Sequence, residues 1–268
     1  MQNRINKMFH ELKKENKKAL ITFITAGYLD LEFTEDCVYE MAEKGANIIE
    51  LGLPFSDPIA DGEVIQESSY QALSKGINID KVFRMVENIR KNKIEIPLIM
   101  MTYYNLLLAR NLEEVVKISK EVGLDGFIIP DLLPLKTNDD LQLYDILSKY
   151  NLNLICLSSI LSDRERLKKL TDITKGFLYL IIKVGTTGKS NDLNYDLIER
   201  KVKELKEINP HLPVALGFGI DSIEDVKNLK IYADGLILGS KIIKIIKETS
   251  SVKKVGEFIA ELRQELDN

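Results

Sequence analysis

Two carboxylates in one stretch of this chain have the residue types and the spacing that proton transfer needs. Glu50 and Asp61 stand eleven residues apart in Ile48–Gln66, which reads IIELGLPFSDPIADGEVIQ. Glu50 is flanked by apolar residues, so burial should disfavour its charged form and keep some proton on it near neutrality. Asp61 follows in a loop rich in proline and glycine, where we expect a polar environment and an ionised carboxylate. Two carboxylates in different environments are what a proton donor and a proton acceptor require.

Each carboxylate also has a plainer interpretation, which the sequence alone leaves open. A glutamate in a strand is usually an outward-facing polar residue, and the dipeptide Asp61-Gly62 is by itself a common turn. Short matches are hypotheses, so neither residue carries a function by itself. Their occurrence together within one long stretch favours the chemical interpretation.

Glycines supply a second candidate site, one for a phosphate group. Three glycine-rich pieces follow predicted strands: Gly185-Thr-Thr-Gly188, Gly217-Phe-Gly219 and Gly239-Ser240. Glycine lets a backbone approach an anion closely, and the N–H groups that open a helix after Gly239 carry partial positive charge. A plain turn is the default for each piece alone, but barrels often bind phosphate with the loops after their last strands. Together the pieces predict a phosphate cradle, to which Lys241 should be neutral or mildly helpful.

Eight apolar runs are available to position these groups, and each is followed by a helical pattern. The predicted strands are Ala19–Thr25, Asn47–Leu53, Pro97–Tyr103, Gly126–Pro130, Leu152–Leu157, Phe177–Lys183, Pro213–Phe218 and Asp234–Leu238. The predicted helices are Arg4–Lys14, Leu31–Lys44, Val64–Ser74, Ile79–Lys91, Leu112–Glu121, Asn138–Lys149, Asp163–Leu170, Asp196–Ile208, Ser222–Leu229, Lys241–Ile246 and Val252–Leu266. The second strand must end near Leu53, because Pro54 cannot continue a central strand.

This alternation predicts a single (β/α)8 TIM barrel over residues 1–268, an α/β fold with an extra N-terminal helix that covers the bottom of the barrel. An open doubly wound sheet is the competing fold, but it typically has fewer strands. Chemistry in a barrel sits at the C-terminal ends of the strands. Glu50, Tyr103 and Asp131 lie toward or just beyond such ends, whereas His211 precedes a strand and belongs to the opposite face.

Composition and charge argue against several classes of protein. The chain has 37 Lys and Arg against 41 Asp and Glu, a formal net charge of −4, and no basic block, which disfavours nucleic-acid binding. Two histidines and two cysteines give a zinc site or a histidine-based triad almost nothing to build with, so we expect no metal and place Cys37 and Cys156 in the core. No stretch approaches the roughly 18 apolar residues of a membrane span, and the start has no signal-peptide pattern. We therefore expect a cytoplasmic protein that does not enter membranes.

The stretch Ile48–Gln66 resembles the signature of the tryptophan synthase alpha-subunit family, and the resemblance runs from about Ala19 to Ser240. The family's reaction is the retro-aldol cleavage of indole-3-glycerol phosphate to indole and glyceraldehyde 3-phosphate, in tryptophan biosynthesis. The resemblance implies that this chain needs no cofactor itself. It also implies a partner, the tryptophan synthase beta subunit, which carries pyridoxal phosphate in an alpha2beta2 complex.

The resemblance also assigns roles to single residues. Glu50 matches the acid–base residue, Asp61 the group that pairs with the indole nitrogen, and Tyr179 a tyrosine that packs and hydrogen-bonds beside the substrate. The residues implied in substrate binding are Phe23, Met101, Thr187, Gly188, Phe218, Gly219, Gly239 and Ser240, and those implied in contact with the beta subunit are Pro54, Asp57 and Asn105. Thr187 matches a loop threonine that can hydrogen-bond the Asp61 carboxylate. A plain core role stays open for Tyr179, and Tyr103 is either a packing residue or a wall of the site.

Three leucines depart from the family's pattern, and several other functions stay open. Leu29, Leu106 and Leu133 relax loops on the catalytic face and put the shape of the partner contact in doubt, but not the reaction. Other phosphate-binding barrels, such as indole-glycerol-phosphate synthase or phosphoribosylanthranilate isomerase, lack the PFSDPIADG loop. The two carboxylates argue against a catalytically silent regulatory module. A stand-alone lyase that releases free indole is not distinguished from the subunit by sequence.

Overall fold

Parallel strands alternate with helices in the computed structural model, which describes residues 2–132, 138–183 and 193–268. The strands are β1 Ala19–Thr25, β2 Ile48–Gly52, β3 Leu98–Met101, β4 Gly126–Ile128, β5 Asn153–Ile155, β6 Leu157–Ser159, β7 Leu178–Ile181, β8 Val214–Gly217 and β9 Gly235–Leu238. The helices are α1 Arg4–Lys14, α2 Leu31–Glu43, α3 Glu63–Ser74, α4 Ile79–Lys91, α5 Tyr104–Leu108, α6 Leu112–Val122, α7 Asn138–Lys149, α8 Arg164–Ile173, α9 Tyr195–Ile208, α10 Ile223–Leu229, α11 Ser240–Thr249 and α12 Val252–Asp267.

The strands form one parallel sheet that curls into a nearly closed barrel, which confirms the predicted fold. Their order is β5-β4-β3-β2-β1-β9-β8-β7-β6. The two end strands, β5 and β6, are consecutive in the chain and separated only by Cys156. Helices surround the sheet, with α2 packed on α4 and α12, α4 on α6, and α8 on α9. The junction where the barrel nearly closes therefore lies between two consecutive strands of one short chain segment.

The strands are buried on both faces, as expected for a parallel sheet covered by helices. Every residue of β1, β2, β3 and β8 is buried. This burial explains why the strands read as nearly continuous apolar runs. It also means that a charged residue within a strand, such as Glu50 in β2, is removed from water by the fold itself.

Helix α1 covers the N-terminal ends of the strands, as the sequence predicts. Asn3 caps α1, and its Nδ2 donates to the backbone oxygens of Asp125 (2.7 Å) and Asn151 (3.1 Å), just ahead of β4 and β5. The buried carboxylate of Asp125 accepts hydrogen bonds from Arg90 Nη2 (2.8 Å) and Arg4 Nη1 (3.2 Å). This end of a barrel serves stability, which leaves the opposite end for chemistry.

Two local predictions about the fold need correction. The predicted strand Leu152–Leu157 is two short strands, because its first part pairs with β4 and its second part with β7. Strands in a closed barrel are staggered, so one segment can end one edge of the sheet and begin the other. Helix α5 was not predicted, and the Asp131 Oδ1 atom stabilises its start by accepting the Tyr104 N–H at 2.9 Å.

Candidate active site

A cavity opens at the C-terminal ends of the strands and has a volume of about 610 Å³ with its mouth included. Its lining consists of Phe23, Glu50, Asp61, Gly62, Ile65, Met101, Tyr179, Phe218, Gly219, Ile220, Asp221, Ile237, Gly239 and Ser240. Every predicted catalytic or substrate-binding residue that the structure describes is in this list. Thr187 and Gly188 lie outside the described residues, as does Leu133.

Glu50 is fully buried in β2 and stands at the wall of the cavity. Neither of its carboxyl oxygens has a hydrogen-bond partner among the described residues. Burial raises its pKa to about 8, because the charged form loses its hydration and no partner replaces it. At neutral pH the carboxyl therefore holds a proton, which agrees with the sequence-based expectation and suits a general acid.

Asp61 is also buried, at 8% exposure, which corrects the expectation of a polar loop environment. Two hydrogen bonds fix the backbone at Asp61. Its N–H donates to the Pro58 backbone oxygen, and Gln66 Nε2 donates to the Asp61 backbone oxygen. Burial raises the Asp61 pKa to about 6, and a hydrogen bond from Tyr103 opposes that rise. A group with this pKa is still mostly ionised at pH 7. Oδ1 of Asp61 has no partner in the described part of the chain.

Tyr103 positions Asp61, a role that sequence reasoning missed. Its hydroxyl accepts the Ala60 N–H at 3.0 Å and donates to Asp61 Oδ2 at 3.1 Å. Its ring stacks on Phe55, with 5.0 Å between the ring centres. Tyr103 thus ties the loop to the end of β3 and fixes one oxygen of the carboxylate. Its position beyond a strand end was the available signal, but the sequence does not say which loop folds onto it.

For the cleavage reaction predicted from the sequence, we expect Tyr103→Phe to lower kcat/KM about 2- to 10-fold, the effect of one lost hydrogen bond. The hydrogen bond lowers the Asp61 pKa, so its loss should move the acidic limb of the pH–rate profile to higher pH. Steady-state kinetics from pH 5 to pH 9 would measure both effects. Tyr70→Phe, at an exposed tyrosine, is the matched control. An acidic limb that does not move in Tyr103→Phe would contradict this role.

Three aromatic rings form the apolar wall of the cavity, and two glycines make room for them. The Phe23 ring lies over Gly52, where an added methyl group would come within 2.5 Å of the ring. Tyr179 lies over Gly217 at the same distance, and its ring meets Phe218 edge to face at 5.7 Å. Phe218 has a φ of 67°, a conformation that bulky residues rarely adopt and that is enriched at functional sites. The wall is therefore a surface on which a flat aromatic ligand can pack.

The described part of the predicted phosphate cradle also lines the cavity. Gly219, with φ of 89°, follows β8, and Gly239 precedes the first turn of α11. Ser240 begins this ten-residue helix, and no side chain caps its N-terminus. The N–H groups of this first turn carry partial positive charge, so an anion is favoured there.

The predicted partner face lies beside the cavity, on the β2–α3 loop and on α5. Asp57 and Asn105 are exposed, as a contact with another protein requires, whereas Pro54 is buried within this chain. Two large apolar residues nearby are exposed, Ile59 at 81% and Leu108 at 52%. Exposed apolar groups next to a functional cavity are typical of protein interfaces.

Other kinds of site receive no support from the geometry. Across residues 2–132, 138–183 and 193–268, no three His, Cys, Asp or Glu side chains are arranged to hold a metal ion. His10 and His211 both line a shallow groove on the N-terminal side of the barrel, away from the two carboxylates. No helix in the described part of the chain is long and apolar enough to cross a membrane.

Comparison with known proteins gives one consistent family. The family model described as Tryptophan synthase alpha chain matches residues 9–267. A curated relative named tryptophan synthase alpha chain, from Thermoanaerobacter pseudethanolicus, is 43% identical, with 98% of this chain and 100% of the relative covered. A relative of the same name from Aquifex aeolicus is 35% identical, with 98% of each chain covered.

Solved structures agree with this result over nearly the whole chain. The crystal structure of tryptophan synthase subunit alpha from Legionella pneumophila matches with a TM-score of 0.90 and 32% identity, covering 100% of both chains. A chain of the aminoacrylate-bound tryptophan synthase from M. tuberculosis matches with a TM-score of 0.86 and 26% identity, covering 98% of this chain and 99% of that one.

Proposed function

This chain belongs to the tryptophan synthase alpha chain family, the lyase that cleaves indole-3-glycerol phosphate in tryptophan biosynthesis, and we propose that Glu50 and Asp61 carry its proton chemistry. The observation that supports this most directly is the pair of buried carboxyl groups, with pKa values of about 8 and about 6, in one cavity. At neutral pH one is an acid and the other an anion. The cleavage needs one of each.

Glu50 serves first as the acid and then as the base. Its proton goes to C3 of the indole ring, which makes the ring a leaving group and places positive charge on the indole nitrogen. The bond between C3 and the glycerol side chain then breaks, and its electron pair restores the aromatic ring. The adjacent hydroxyl becomes the aldehyde of glyceraldehyde 3-phosphate and gives its proton to the Glu50 carboxylate, which returns to its starting state.

Asp61 stabilises the positive charge that develops on the indole nitrogen. Its free Oδ1 atom accepts the indole N–H, while Oδ2 stays bound to Tyr103. In a buried site this interaction is stronger than in water, because little solvent screens it. Tyr179 lines the same cavity as both carboxyl groups, and its burial, together with their negative charges, raises its pKa well above the ordinary value. Its hydroxyl therefore stays protonated and acts as a packing and hydrogen-bonding group, not as a base.

Two sets of lining residues bind the two ends of the substrate. Phe23, Met101 and Phe218 supply apolar walls for the indole ring, and Gly219, Gly239 and Ser240 supply the cradle for the phosphate. Thr187 and Gly188, which lie outside the described residues, remain part of the proposed set through the family resemblance.

We propose that the chain performs this step without a cofactor, because its own carboxyl groups can supply every proton transfer. Pyridoxal phosphate belongs to the tryptophan synthase beta subunit, with which we expect an alpha2beta2 complex. Asp57 and Asn105, together with the adjoining exposed residues Ile59 and Leu108, form the proposed contact face. We further propose that residues 1–268 are one domain and that the protein is cytoplasmic.

The test is an indole-release assay on the purified chain with indole-3-glycerol phosphate, with and without a tryptophan synthase beta subunit. We expect slow indole formation by the chain alone and faster formation in the complex, since a partner that orders the catalytic face favours the active arrangement. No indole under either condition would contradict the assignment of this cavity. Indole formation that the beta subunit does not change would instead favour the stand-alone lyase.

A further inference from the structure

Lys183 follows β7 and lies across one glycine of the phosphate cradle. A methyl group added at Gly219 would stand 2.8 Å from Lys183 Cδ and 3.1 Å from Lys183 Cβ. The end of β7 is held to β8, because the Ile182 N–H donates to the Gly217 oxygen at 3.1 Å. The aliphatic part of Lys183 therefore rests on Gly219, which itself lines the cavity.

The ammonium group of Lys183 is available to a ligand. The side chain is exposed, and it forms no ion pair or hydrogen bond with any residue that the structure describes. Asp221 lines the same end of the cavity and brings a negative charge there. Lys244 stands 3.7 Å from that carboxylate and offsets its charge. Lys244 thus offsets Asp221, whereas Lys183 and Lys241 have no such partner in the part of the chain that the structure describes.

We propose that Lys183 is the cation that pairs with the phosphate of the substrate, while the Gly219 and Gly239 backbone holds the same group by its N–H donors. This inference rests on the proposed function of the cavity. Neutral N–H groups give only partial positive charge, whereas a phosphate monoester carries nearly two negative charges at neutral pH. A lysine ammonium is a common phosphate ligand that acts as a point charge. Because Gly219 has no Cβ atom, the Lys183 side chain can lie directly against the cradle.

Lys241 provides the matched control within the same cradle. It follows Ser240 in the first turn of α11 and is half-buried, and, like Lys183, it is not among the residues that line the cavity. Both lysines are therefore near the phosphate end, and only one has its side chain placed across a cradle glycine. Lys183→Met and Lys241→Met remove one charge each while keeping most of the aliphatic volume.

We expect Lys183→Met to weaken the binding of glycerol 3-phosphate about 10- to 100-fold, the effect of one charge-assisted hydrogen bond. Lys183→Arg should retain most of the affinity, and Lys241→Met should change it less than about 3-fold. Titration calorimetry at low and at high salt would measure these values, and the difference between parent and Lys183→Met should shrink as salt screens the exposed ammonium. Equal losses in Lys183→Met and Lys241→Met would overturn the assignment to Lys183.

Kinetics with and without the phosphate separate this inference from the proposed function. In the cleavage reaction, Lys183→Met should raise KM for indole-3-glycerol phosphate with a smaller change in kcat. In the reverse reaction of indole with glyceraldehyde, which has no phosphate, parent and Lys183→Met should be equally fast. A comparable loss with glyceraldehyde and with glyceraldehyde 3-phosphate would show that Lys183 acts elsewhere. If the parent itself forms no indole, the proposed function fails instead.

Discussion

Glu50→Gln should leave the barrel folded and lower indole formation about 10²- to 10⁴-fold, the usual contribution of a general acid–base group. Glutamine has nearly the same shape but cannot donate a proton to C3 or accept one from the hydroxyl. The measurement is kcat/KM from pH 5 to pH 9, with circular dichroism to check the fold. Glu63→Gln, at an exposed glutamate that begins α3, is the control and should keep full activity.

The pH dependence of stability gives this prediction a second readout. Burial holds the Glu50 pKa at about 8, above its ordinary value of 4.5, so the folded state resists loss of this proton. The contribution of Glu50 to stability is therefore fully present below about pH 4.5 and is lost as the pH rises toward 8. Relative to the parent, Glu50→Gln should gain roughly 3–5 kcal/mol of unfolding free energy between pH 5 and pH 9. A variant that keeps more than about a tenth of the activity, or that gains no stability at high pH, would remove Glu50 from the proposed role.

The fold could be predicted because its signals are local in the sequence. Parallel strands covered on both faces must be continuously apolar, and the chain contains such runs at regular intervals. The end of β2 could be placed because Pro54 stops a strand whatever its surroundings. The position of Glu50 inside such a run also predicts its raised pKa, since burial of the strand implies burial of the carboxyl group.

What the sequence does not predict depends on contacts between distant segments. The loop before Asp61 looks polar, yet Asp61 is buried. Tyr103 holds the loop in place through its hydrogen bond to Asp61 and its ring contact with Phe55, and no local pattern indicates these contacts. The division of strand Leu152–Leu157 follows from the stagger of its two neighbours, not from its own residues. Likewise, the placement of Lys183 across Gly219 depends on how two adjacent strands end.

Asp61→Asn tests the other half of the chemistry, and we again expect a loss of about 10²- to 10⁴-fold in kcat/KM. Asparagine keeps the hydrogen bond from Tyr103 within reach of its amide oxygen but carries no negative charge for the indole nitrogen. The parent should therefore show a bell-shaped pH profile, with an acidic limb near pH 6 from Asp61 and an alkaline limb near pH 8 from Glu50.

Each variant should remove one limb of that profile. In Asp61→Asn the acidic limb disappears and the alkaline limb stays, whereas in Glu50→Gln the alkaline limb disappears. The substrate phosphate also titrates near pH 6, so the acidic limb alone does not identify its source. The reverse reaction of indole with glyceraldehyde settles this point, because no phosphate is present and any acidic limb must come from the protein. If that limb is absent from the parent with glyceraldehyde, or persists unchanged in Asp61→Asn, the ionised state of Asp61 is not what the reaction requires.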